Sequence, residues 1–64
     1  MYPITVPIIY MLEYQAWLTQ NYMYPIIHYI AYIDGLQTMV IQFTMQESRD
    51  KFEKKWKHTF TNDN

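Results

Sequence analysis

The side chains able to do chemistry in this 64-residue chain are few and widely scattered. There is no cysteine, and Ser48, the only serine, falls on the first turn of a charged helix as a capping-type residue. Ser–His–Asp and Cys–His arrangements are therefore without a suitable nucleophile. His28 and His58 have no spacing that suggests a metal site. The single glycine rules out a phosphate-cradling loop. Before the final third, the acids and histidines are Glu13, His28 and Asp34. Asp34 belongs to a turn, and Glu13 to the polar side of a helix. His28 interrupts an apolar strand, where a structural or interface role is expected ahead of a base or ligand. The residues predict no catalytic step, no cofactor and no metal.

The chemistry on offer is that of contact. Tyr2, Tyr10, Tyr14, Tyr22, Tyr24, Tyr29 and Tyr32 all precede residue 33, joined by Trp17. Tyrosine combines a large rigid area with a polar tip, which suits interfaces. Some must be core, but two tryptophans and three phenylalanines compete for that space. At least three tyrosines are therefore expected at a protein interface. Composition says the same: 50% of residues are hydrophobic and only 17% charged. A chain this small buries about 60% of the surface its unfolded form exposes, and no disulfide can supplement the core. The excess apolar material predicts self-association, most simply as a two-fold homodimer, and a second protein partner.

Nucleic acid is a weaker expectation. The net charge is −1, and the aromatics lie in the uncharged two-thirds, away from the lysines. A single-stranded nucleic-acid binder using exposed aromatics is the alternative. No lysine or arginine precedes the first apolar stretch, which argues against a signal peptide. The longest apolar run, Tyr22 to Ile33, contains Pro25 and His28 and falls short of the about 20 residues a spanning helix needs. No membrane contact and a cytoplasmic location are expected.

These side chains need elements to hold them. Arg49, Lys51, Lys54, Lys55 and Lys57 lie in one short stretch, interleaved with acids. Thr44-Met45-Gln46-Glu47 fits a capping box. Glu47–Lys51, Asp50–Lys54 and Glu53–Lys57 follow at acid-first i,i+4 spacing. Met45, Phe52, Trp56 and Phe60 form a thin apolar stripe with the Arg49 stem between. This predicts an amphipathic helix over 45–58 that docks its aromatics on the body, followed by a frayed tail at 61–64.

Upstream, Asp34-Gly35 suits a type I′ turn, because both central residues need positive φ. The β-branched and aromatic flanks predict a hairpin at 26–44. Pairing across a two-residue turn sets Tyr29 beside Val40. Ile26, His28, Ile30 and Tyr32 then share a face with Gln37, Met39, Ile41 and Phe43. The opposite face carries Ile27, Tyr29, Ala31 and Ile33 with Leu36, Thr38, Val40 and Gln42. Both faces are substantially apolar, so each wants a cover.

From Tyr10 to Tyr22 the phase is helical: Tyr10, Met11, Tyr14, Trp17, Leu18 and Tyr22 share one side. Pro3 and Pro7 exclude a central strand but suit an edge strand or a helix start. Met1-Tyr2-Pro3-Ile4 recurs as Met23-Tyr24-Pro25-Ile26. If that echo is structural, residues 2–8 form a strand like 25–33. The expected fold is α+β and two-layered, one domain over 1–60. Asp34-Gly35 and the alternation argue against an all-helical hairpin. The expected interface is Tyr29, Ala31, Ile33, Leu36, Thr38 and Val40 on the hairpin, with Tyr14 and Trp17 on the first helix.

The segment from Ile41 to Trp56, with Phe43 running into Thr44-Met45-Gln46-Glu47 and then Phe52-Glu53-Lys54-Lys55-Trp56, resembles small uncharacterised tailed-bacteriophage accessory proteins. The resemblance covers about a quarter of the chain, and the lysine-rich helix departs from the pattern. It implies a virus accessory or inhibitor protein acting on a host component in the host cytoplasm.

Overall fold

Two prolines four residues apart open the chain, and they dictate where its first strand can lie. A computed structural model describes residues 1–33 and 36–60, with side chains for residues 1–28 and 38–60. The Asp34-Gly35 turn and the tail at 61–64 lie outside the described residues. The elements are β1 (Tyr2–Pro7), a 3-10 turn (Ile8–Tyr10), α1 (Met11–Gln20), β2 (Ile26–Ile33), β3 (Leu36–Phe43) and α2 (Gln46–Phe60). The three strands form one antiparallel sheet in the order β1-β3-β2, so β1 is an edge strand. The fold is a small α+β structure. Residues 2–7 are a strand, and the chain then tightens through the 3-10 turn directly into α1.

The register explains why β1 tolerates prolines. Pro3 lies opposite Gln42, Thr5 opposite Val40 and Pro7 opposite Thr38. Both backbone polar groups of a strand residue point to the same side, and successive residues alternate. Pro3 and Pro7 have no N–H, so their parity must be the one facing away from β3. Tyr2, Ile4 and Val6 therefore bond to Phe43, Ile41 and Met39. The outward carbonyl of Pro3 accepts a hydrogen bond from Arg49 Nε at 3.1 Å.

Among the described residues, the core lies on one sheet face. Ile4 and Val6 from β1 and Met39, Ile41 and Phe43 from β3 are buried against Tyr14 and Leu18 of α1 and Phe52 of α2. Met11, Trp17, Met23, Ile27, Trp56 and Phe60 pack around this cluster. Both helices thus give their buried residues to the same face, as two-layer packing requires.

Several local expectations change. In β2, Ile27 pairs with Ile41, His28 with Val40 and Tyr29 with Met39, one residue off the expected pairing. The shift comes from a bulge between Ile30 and Ile33, after which Ile33 pairs with Leu36 as a two-residue turn demands. A one-residue slip exchanges faces. Ile27 consequently belongs with the core, while Ile26 and His28 are exposed. The echo holds for strand formation, since both segments are strands, but not for which residues face the core. Ile4 is buried opposite Ile41, whereas its counterpart Ile26 lies opposite Gln42 and is half exposed.

α1 stops short of Tyr22. The Met23 N–H donates to the Leu18 carbonyl at 2.8 Å and the Tyr22 N–H to that of Thr19 at 3.1 Å. This is a Schellman cap, in which the residue after the C-cap turns left-handed and is usually glycine. Here it is Tyr22, at φ 57°. A non-glycine residue pays about 1–2 kcal/mol for that conformation. The Asn21 side chain adds a bond from Nδ2 to the Trp17 carbonyl.

α2 begins one residue later than the capping box implies. The Met45 carbonyl accepts the Arg49 N–H at 3.2 Å, so Met45 is the N-cap, and its side chain is exposed rather than in the stripe. Among the described residues, ion pairs join Arg49 to Glu53 at 3.1 Å and to Asp50 at 3.4 Å, not the three acid-first pairs. Arg49 is anchored at Pro3, which holds its guanidinium beside Glu53. Exposed lysines gain little from pairing.

Candidate protein interface

The structure separates the expected interface residues into three groups. Tyr14 is fully buried and belongs to the core. Its ring packs edge-on against Phe52 at 5.3 Å and Trp56 at 5.2 Å. Its phenol reaches Thr59 Oγ1 at 2.7 Å, and that hydroxyl in turn donates to the Trp56 carbonyl at 2.7 Å. Since Thr59 has one proton to give, Tyr14 is the donor in its own bond. This satisfied phenol is what allows a tyrosine at zero exposure. Trp17 is also committed inward, edge-on to Phe52 and Trp56. Tyr14 is therefore not available as the interface anchor expected of it, while Trp17 is half-buried.

Thr38 and Val40 are half-buried, in the row of β3 that faces away from both helices. Tyr29 pairs with Met39 rather than Val40, which removes it from that row. Ala31, Ile33 and Leu36 are strand positions whose side chains lie outside the described residues.

The uncovered sheet face is made from alternate residues of all three strands. Pro3 and Thr5 of β1 and Ile26 and His28 of β2 are exposed, flanking Thr38, Val40 and Gln42 of β3. It is less apolar than its sequence suggests, because the register puts His28 in place of Ile27 beside the Thr38 and Gln42 expected there, and β1 adds Thr5. Among the described residues there is no group of acids, histidines or cysteines able to hold a metal. His28 stands alone in the open face, and His58 stacks on Trp56 at 6.1 Å.

A second exposed patch surrounds the end of α1, where Tyr22, Tyr24 and Met45 are largely solvent-facing. Two clefts open beside it, of about 240 and 250 Å³, sharing Met23, Tyr24 and Pro25. Both are below the about 300 Å³ at which small-molecule sites begin. No helix among the described residues is long and apolar enough to cross a membrane.

Fold and surface together define a two-layer α+β protein with one sheet face covered by helices and, among the described residues, the other open. No family model, curated protein or solved structure matches the chain.

Burial pushes the Tyr14 phenol above its ordinary value of 10.0, against an opposing effect of the Thr59 hydrogen bond and with Tyr10 and Glu13 adding to the rise. A folded-state value above the unfolded one means the contribution to stability is complete below about pH 10 and declines as pH rises. Raising the pH from about 8 to 11 is therefore expected to lower the urea midpoint. Tyr14→Phe, which has no phenol to ionise, should show a shallower decline. Equal slopes in both proteins would contradict the assignment.

Proposed function

We propose that this protein is a small protein-binding module, an accessory or inhibitor protein that self-associates, engages a second protein and performs no catalytic step. The sheet left open by its helices, at one face and at the β2 edge, carries this reading. Both helices lie on one side of the sheet; on the other, Ile26 is exposed and Val40 half-buried, with no helix over them among the described residues. The likeness of residues 41–56 to tailed-bacteriophage accessory proteins supports a role on a host protein in the host cytoplasm.

Sedimentation across micromolar concentrations tests self-association, with a dimer of the 7.9 kDa chain expected. A monomer at every concentration overturns it. A salt titration against labelled oligonucleotides tests the competing function. Submicromolar binding that weakens steeply with salt would replace this reading with single-stranded nucleic-acid binding.

A further inference from the structure

We infer that self-association is an edge-to-edge pairing of β2 with the β2 of a second copy, giving a continuous six-stranded sheet. The inference rests on the self-association proposed above and names its surface. An unpaired strand edge is a template for another strand unless it is blocked. The two edges of this sheet differ in that respect.

The β1 edge is blocked in three places. Pro3 and Pro7 present no N–H to an incoming strand, and the Pro3 carbonyl is already bonded to Arg49. Only the Thr5 N–H and the Thr5 and Pro7 carbonyls remain.

Among the described residues, the β2 edge has no such device over Ile26–Ile30. The parity fixed by β1 decides which of its groups are open. Met39, Ile41 and Phe43 bond towards β1, so Thr38, Val40 and Gln42 bond towards β2, to Ile30, His28 and Ile26. Ile27 and Tyr29 must then aim their N–H and C=O groups away from the sheet. Among the described residues, backbone hydrogen bonds outside the regular elements all lie at helix ends. None reaches this edge.

A second copy is the occupant that these facts favour. In a two-fold pairing every charge meets its own sign nearby, and no Asp, Glu, Lys or Arg occurs from Met23 to Ile33. Because β1 is blocked, β1-to-β2 addition, which would propagate as a fibre, is disfavoured. Pairing β2 with β2 uses both open edges and leaves only blocked ones, so the assembly closes at two. The axis falls near His28, midway between Ile27 and Tyr29, the outward-facing positions over Ile26–Ile30.

Amide hydrogen exchange of the full chain, compared at low and high protein concentration, tests this directly. The Ile27 and Tyr29 amides should become protected at high concentration, while the Thr5 amide at the blocked edge stays fast. His28→Lys, at an exposed position beside the axis, should raise the dimer dissociation constant roughly five- to tenfold. Val40→Lys, in the centre of the open face, should leave it nearly unchanged. A dimer whose Ile27 and Tyr29 amides stay fast and which Val40→Lys dissociates overturns the edge pairing in favour of face-to-face contact, with self-association intact. Absence of any dimer overturns both.

Discussion

Phe52→Ala is expected to unfold this domain at room temperature. Phe52 is fully buried, and its ring meets aromatics from the sheet, from α1 and from its own helix. It lies 5.3 Å from Tyr14, 5.6 Å from Phe43 and 5.8 Å from Trp17, measured between centroids. Phe60 stacks on it from further along α2, at 6.2 Å. Truncating a buried phenylalanine costs about 3–5 kcal/mol, and lost ring pairs add to that. A chain of this size has only about 3–10 kcal/mol in total. Trp56→Ala should be less damaging, although Trp56 lies on the same stripe. Its ring is only half-buried, and its Nε1 is buried without a partner, so removing it also relieves a penalty of about 1–3 kcal/mol. Near-ultraviolet dichroism and urea unfolding give the comparison. A Phe52→Ala variant that keeps the parental midpoint would show that α2 is not held by this residue.

Phe52 is legible in the sequence as a core residue, because it sits at helical spacing between polar residues. So are the bounds of β2 and β3, set by alternation around Asp34-Gly35. What the sequence hides is register. The bulge after Ile30 carries no glycine or other marker, yet it moves Tyr29 from Val40 to Met39 and exchanges the faces of residues 26–28. Tyr14 is hidden for a different reason. A tyrosine on a helix stripe reads equally as core or interface, and the hydroxyl that decides the matter, Thr59, lies 45 residues away. The end of α1 is masked by Tyr22, which continues the helical phase while its backbone has already turned left-handed. Asn21 and the following Pro25 are the available stop signals. Arg49 looks like a stem in the stripe; its bond to Pro3 depends on β1 lying beside α2, which no local pattern encodes.

Proline scanning of one cross-strand pair should give opposite results at its two members. Thr5 of β1 and Val40 of β3 face each other. By the parity of Pro3 and Pro7, the Thr5 N–H points out of the sheet and bonds to no strand. Thr5→Pro removes nothing from the ladder, and the preceding Ile4 is already extended, as a residue before proline must be. It should cost less than about 1 kcal/mol, since stiffening the unfolded chain offsets part of any loss. Val40 lies in the central strand, and its N–H bonds towards His28. Val40→Pro deletes that bond, leaves a carbonyl unpaired and forces a ring against β2, for a loss of roughly 3 kcal/mol. Thermal midpoints of the two variants therefore report the hydrogen-bond parity of the whole sheet. If Thr5→Pro proved as damaging as Val40→Pro, the outward groups of β1 would be misassigned. The outward groups of β2 would be misassigned with them, because β3 has only two sides to divide between its neighbours.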